Sequence, residues 1–470
     1  MRRADKLASK DISICVPAGA LGTGVREDEV ERALSLGISA IALDAGSTDS
    51  GAFYLANGVP KYSREAVKRD LVILMKAQAR SGVPLLVGSC GTSGCDAGVD
   101  WTYEIAMEVA REHNLSPKIA RLYSEQTRAT IKAKRAAGQV TPLPPLGALD
   151  DATIEGCDHI VALMGPEPYM DALEAGADII LGGRTTDTAV IGAYPLLKGI
   201  APGLVWHGAK ITECGGVCTV SPTCPGVLLT LREDSFDVEP LSLTNRCTPY
   251  SVAAHMLYEN ADPYVLMEPG GVLDVRHASY EAVDERIVRV RGGTWTPAPY
   301  TMKLEGASRG PCQTIMLIGI QAPNVLASLD LFMRNMQAAL ENRVRTTIGD
   351  EAGDFHISLR AYGWNAVSGV TPPDGTPPPR EVGLMLVATA RTQNLATRIA
   401  KTCNPYFFHF PLELGQEMPS YAFPFSPAEI ERGQVCEFRL NHVVATEAPD
   451  ELVRTVWAPA ETYAAREAHP

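Results

Sequence analysis

Short apolar runs alternate with amphipathic stretches through the first half of this chain, and several of the runs end in glycine-rich polar loops. That alternation restricts the fold more than any other feature. ISICV (Ile12 to Val16) is followed by PAGALGTGV and then by REDEVERALSLG, which reads as strand, loop and helix. In the helix Val30, Ala33 and Leu34 share one face, Glu27, Asp28 and Glu29 suit its positive N-terminal end, and Gly37 supplies a stop. Ser39 to Gly46 reads as the next strand, Arg64 to Arg80 as a helix with Val67, Leu71 and Leu74 inward, Pro84 to Gly88 as a strand, and Trp101 to His113 as a helix. Further strands are predicted at 118–122, 158–164 and 178–181, with helices at 166–176 and 187–198. Parallel neighbours need crossover connections, so the pattern predicts an α/β fold: a mainly parallel sheet flanked by helices, either open or closed into a barrel.

After about Pro240 the texture changes to short segments such as RIVRVRG, YTMKLEG and CQTIMLIGI, with one long helical stretch from Val325 to Arg343. The expected organisation is an α/β domain over 1–240 and an α+β domain over 241–470. TPPDGTPPPR (Thr371 to Arg380) cannot continue a helix or an interior strand and reads as an exposed loop within the second domain. The formal charge of −13 disfavours nucleic acid and anionic membranes as partners. No apolar run reaches membrane-spanning length, and the basic start MRRADKLASK runs into Asp11 rather than into an apolar signal region, so a cytoplasmic protein is expected. Eleven cysteines in 470 residues, odd in number and irregularly spaced, read as reduced thiols.

Three predicted strands end in DAGSTDSG (44–51), GSCGTSGCDAG (88–98) and GGRTTDTA (182–189). In parallel α/β folds ligands bind beyond the carboxyl ends of the strands, so these loops are expected to meet at one site. Glycines such as Gly19 let backbone amides approach a ligand, and Ser47, Thr48, Ser89, Thr92, Ser93, Thr185 and Thr186 offer hydroxyls or loop amides to an oxyanion. Arg184 is a candidate anion clamp and Asp187 a candidate acid or base; the local alternative is a helix cap paired with its own arginine. Asp44, directly after AIAL, is either a general base or the cap of the next turn. Glu268 precedes a Pro-Gly-Gly turn that either carries an acidic side chain into a cleft or simply enters a hairpin.

Thiol and metal chemistry have weaker support. Cys90 in its glycine loop is a candidate nucleophile for a hydrolase, with His255 as a possible partner, though a packed histidine is the simpler reading. Cys214, Cys218 and Cys224 fit no standard zinc or cluster spacing, and histidine positions alone name no metal site. GALGTG is not the dinucleotide fingerprint, and no phosphate loop or zinc helix motif occurs, so no cofactor is assigned.

DALEAGADIILGGRTTDT, GAKITECGG, MEPGGVLD, AFPFSPAEI and EFRLNHVV together resemble the acyclic terpene utilisation (AtuA-like) family over most of the chain. The resemblance carries Arg184 and Asp187 over from the family's GR-x-x-D pattern and places Glu213, Glu268, Pro269, Gly270 and Gly271 on its other motifs. It departs at the first loop, where many relatives have an aspartate and this chain has PAGALGTG. The resemblance implies a catabolic setting near acyl-CoA enzymes for branched or terpenoid acids, with a separate small ferredoxin-like subunit as a possible partner. The resulting expectation is a homo-oligomeric enzyme that acts on a carboxylate or acyl-CoA by hydratase- or lyase-type proton abstraction. The alternatives are a noncatalytic ligand-binding or scaffold subunit and a Cys90-dependent hydrolase.

Overall fold

A computed structural model describes residues 11–458 apart from positions 259, 374, 414, 416 and 417; the basic start lies outside the described residues. The chain divides into two compact units, residues 1–308 with 438–470, and residues 309–437. In the larger unit ten strands form one open sheet: β1 (Ile12–Val16), β2 (Ala40–Asp44), β3 (Leu85–Gly88), β4 (Ile119–Tyr123), β5 (Ile179–Gly182), β6 (Val227–Leu231), β7 (Phe236–Pro240), β8 (Ser279–Ala282), β9 (Val288–Arg291) and β10 (Arg454–Ala458). Their spatial order is β8-β9-β7-β6-β1-β2-β3-β5-β4-β10. The five central strands run parallel, as the alternating pattern predicts. Antiparallel strands extend both edges, β6 onto β1 and β10 onto β4. The open sheet resolves the choice between sheet and barrel.

Strand alternation sorts the side chains into two cores. Ile14, Val16, Ala40, Ala42, Leu86, Leu122 and Ile180 face one layer, while Cys15, Ile41, Leu43, Leu85, Val87, Ile179 and Leu181 face the other. The second layer is covered by α1 (Glu27–Ser35), α2 (Arg64–Ser81) and α3 (Asp96–Glu112). In α2 the Ser63 hydroxyl caps the Ala66 amide, Gly82 ends the helix in the left-handed region at φ 73°, and Val67, Leu71, Leu74 and Met75 are buried. Each such side chain contributes about 1.5–3 kcal/mol of apolar burial. The first layer is covered by α4 (Glu167–Glu174), α5 (Asp187–Leu197) and α6 (Pro202–Thr212).

Three elements differ from the sequence reading. Helix α3 starts at Asp96 rather than at Trp101, because Gly98 is no breaker here: a Cβ on it would stand 2.4 Å from the Cys90 carbonyl oxygen, and only glycine lets the helix pack so close to that loop. The strand expected at 158–164 forms over His159–Ala162 but pairs antiparallel with 304–307 rather than joining the parallel strands. The long helix of the second half is two helices, Pro323–Ala327 and Leu329–Ile348, separated at Ser328, whose φ of −132° is not helical. The smaller unit packs Leu329–Ile348 and Gln393–His409 around Phe332, Met336, Leu340, Ile399 and Phe407, together with Ile318, Leu384 and Leu386 from its strands. Its proline-rich stretch 371–380 has no helix or strand among the described residues. No helix among the described residues is long and apolar enough to cross a membrane.

Candidate active site at the strand ends

The loops after β1, β2 and β3, together with the start of α5, border a cavity of about 800 Å³ in the larger unit. Among the residues expected to form a site, Gly19, Asp44, Ser47, Thr92 and Asp187 line it. Asp44 shares the parity of Ala40 and Ala42 and is the last residue of β2, so its side chain leaves the apolar layer where the sheet stops. It is 3% exposed. The Ala45 amide donates to its Oδ1 at 2.6 Å, whereas among the described residues no N–H or O–H donates to Oδ2. The group within hydrogen-bonding reach is the carboxyl of Asp187, the first residue of α5. Burial first, and then the neighbouring Asp187 charge, push the Asp44 pKa well above the usual carboxylate range. Burial and the adjoining Asp187 carboxyl together favour the protonated form of Asp44.

Arg184 lies behind this pair and is almost fully buried. Its Nε donates to Glu305 Oε2 at 3.1 Å, its Nη1 donates to Ser89 Oγ at 3.1 Å and lies 3.5 Å from Asp187 Oδ1, and its Nη2 donates to Thr48 Oγ1 at 3.5 Å. Burial works against its charge, but Glu305 and then Asp187 outweigh burial and keep it a guanidinium. Glu305 is itself buried, which would raise its pKa; Arg184 and Lys303 instead hold it down at about 2. Thr48 donates to the same Glu305 oxygen at 2.9 Å. Arg184, Ser89, Thr48 and Glu305 therefore form a charged, hydrogen-bonded layer beneath the two aspartates.

The loops are held by close backbone approach and by strain. Arg184 N donates to Gly94 O at 2.9 Å, and a Cβ on Gly94 would stand 2.2 Å from that nitrogen. Ser89 and Thr92 adopt left-handed φ of 43° and 79°, unusual for any residue with a Cβ and most so for a β-branched one. Thr92 Oγ1 accepts from the Lys61 amide at 3.2 Å, and both Lys61 and Tyr62 line the cavity. Ser47 donates to Asp49 at 2.7 Å. Other expected residues lie aside: Ser93 donates to the Cys95 sulfur at 3.6 Å, and Thr185 bonds to Gly183 and Tyr169 beneath the loop.

Glu268 sits at the end of a strand whose Pro-Gly turn does form a hairpin, and it also enters this unit's polar cluster. Its Oε2 accepts from Thr188 at 3.0 Å and from Thr186 at 3.2 Å. Burial raises its pKa to about 7, against the pull of those hydroxyls and of Lys210. Lys210 Nζ donates to Glu213 Oε1 at 2.5 Å. One ligand-type atom from each of Glu213, Cys214 and His255 lies within 4.8 Å of the other two, a grouping that spacing along the chain did not reveal.

A family model described as the acyclic terpene utilisation family protein AtuA matches residues 54–208 and 241–435. The chain belongs to the AtuA family. No curated protein and no solved structure matches it. Arg184, Asp187, His255, Glu268 and Glu305 fall inside the stretches matched by AtuA, whereas Asp44, Glu213 and Cys214 fall outside them.

Sequence reasoning missed Glu305, Lys303, Lys61 and Lys210. The signal for the first two was present: opposite charges two residues apart in YTMKLEG share one face of a strand, and they pair at 2.9 Å. Lys61 and Lys210 carried no local mark. The Cys90 hydrolase alternative lacks geometry, because the thiol is fully buried, does not line the cavity, and has its pKa pushed up by burial.

Proposed function

We propose that this AtuA family member is a catabolic enzyme of terpenoid or related branched acids, acting on a carboxylate or acyl-CoA by abstracting a proton next to a carbonyl, in a hydratase- or lyase-type step. The observation that carries the reading is the buried Asp44 carboxyl facing Asp187, with the Arg184 guanidinium beneath and a cavity of about 800 Å³ above. Asp187, with 29% of its side chain exposed, takes the substrate proton. Asp44 holds its own proton, hydrogen-bonds Asp187 in the resting state, and returns a proton to the leaving or adding group. A buried Asp44 whose pKa is raised, beside a partly exposed Asp187, suits such a division of roles. Arg184 keeps the pair oriented and offsets its charge. Loop amides around Gly19 and Gly46, with the Thr92 hydroxyl at the same cavity, stabilise the developing enolate oxygen. Arg26 and Lys61 at the lining attract the anionic part of the substrate. The volume suits an acyl group or a small di- or tricarboxylate.

A thermal-shift screen with carboxylates and acyl-CoAs selects a ligand, and exchange of that ligand's α-proton with deuterated water then reads the chemistry. Asp187→Asn is expected to slow exchange by about 10²–10⁴-fold while retaining the ligand-induced shift. Wild-type exchange in Asp187→Asn overturns the assignment; binding without exchange in the unaltered chain favours a noncatalytic ligand-binding subunit.

A further inference from the structure

We infer that Glu213, Cys214 and His255 form a site for one divalent metal ion of the zinc class, opening onto the cavity beside Asp187. His255 is 3% exposed, and among the described residues neither ring nitrogen has a hydrogen-bond partner. A buried imidazole without a partner is costly, and a metal ion held with a thiol and a carboxylate beside it would satisfy one of its nitrogens. Tetrahedral bonds of about 2.0–2.3 Å set ligand atoms roughly 3.3–3.8 Å apart. The three donors here, all within 4.8 Å of one another, reach that spacing by small side-chain adjustments.

The backbone holds the donors in place. Glu213 and Cys214 follow the end of α6 and are pinned by Gly215 and Gly216, where a Cβ would stand 2.4 Å from Pro225 O and 2.1 Å from Cys224 O respectively. His255 opens a short 3-10 turn after a helix fixed by a reciprocal Thr248–Ser251 capping box, and its ring stacks on Tyr258 at 5.5 Å. Lys210 occupies only Oε1 of Glu213, so the second carboxylate oxygen serves the metal. Cys214 and Asp187 both line the cavity, so the site adjoins the space where substrate is proposed to bind. Three protein ligands with one open position is the pattern of catalytic rather than structural zinc sites.

The full chain, stripped with a chelator and checked for retained fold by circular dichroism, is titrated with ZnCl2 by calorimetry and with CoCl2 by absorbance. One ion per chain is expected, together with a near-ultraviolet thiolate-to-cobalt charge-transfer band. Cys214→Ser is expected to abolish that band, and His255→Ala to weaken zinc binding by at least about 10–100-fold, the loss already caused by removing outer-shell partners. Should His255→Ala fail to fold, Glu213→Gln serves as the second affinity variant. No ion taken up by the unaltered chain, or uptake unchanged in the variants, overturns the site. Asp44→Asn leaves all three ligands in place, so it retains metal uptake even if the proposed proton transfer proves wrong.

Discussion

Glu305 decides whether Arg184 can stay charged inside the protein. With two cations, Arg184 and Lys303, holding it, its pKa falls from 4.5 to about 2 despite burial. A depressed carboxyl contributes stability that is fully present above its unfolded pKa and is lost as pH falls from about 4.5 towards about 2. A shift of this size corresponds to something on the order of 3 kcal/mol. Glu305→Gln is therefore expected to lower unfolding stability at pH 7 by roughly 3–5 kcal/mol, the cost of leaving a buried guanidinium without its carboxylate. Urea unfolding at about pH 7 and about pH 3 checks this, since the gap between the two proteins should narrow in acid. A gap of equal size at both values means that Glu305 is not the ionised partner of Arg184.

At the scale of elements, the site depends on the loop after β3 lying against the loop after β5. Gly94, at φ 64°, leaves no room for a Cβ against Arg184 N, and that nitrogen donates to Gly94 O. Gly94→Ala has to move one loop away from the other and also strain its own backbone, which is expected to cost at least about 2 kcal/mol and to displace Arg184 from Ser89 and Thr48. Thermal melting, with ligand affinity measured in parallel, tests this: a variant with unchanged melting temperature and unchanged binding shows that the two loops can separate freely. The apolar runs and helix stops of these βα units were legible because burial and backbone geometry act locally there. The start of α3 was not, since Gly98 is tolerated in that helix only because the loop at Cys90 and Gly91 packs against it.

At the scale of the whole molecule, the larger unit is discontinuous in sequence and the smaller one, residues 309–437, is a single stretch with a core of its own. Phe332, Met336, Leu340, Leu384, Leu386, Ile399 and Phe407 are all fully buried within it. Expressed alone, residues 309–437 are expected to unfold cooperatively, with a single calorimetric transition. A melt without a transition shows that this core needs the remainder of the chain.

Read alone, the sequence determined the α/β pattern of the first half and the parallel centre of its sheet, and it put Asp44 and Asp187 in loops expected to meet beyond the strand ends. Each of these follows from a residue's place in a repeating unit, because alternation and strand direction put the last residues of parallel strands on one edge. The tertiary structure alone decided which partners those residues have. Glu305 reaches Arg184 across 121 positions, and His255 reaches Cys214 from a separate turn. Contacts of that range are set by how the whole unit packs around its two apolar layers, and no local pattern of side chains encodes them.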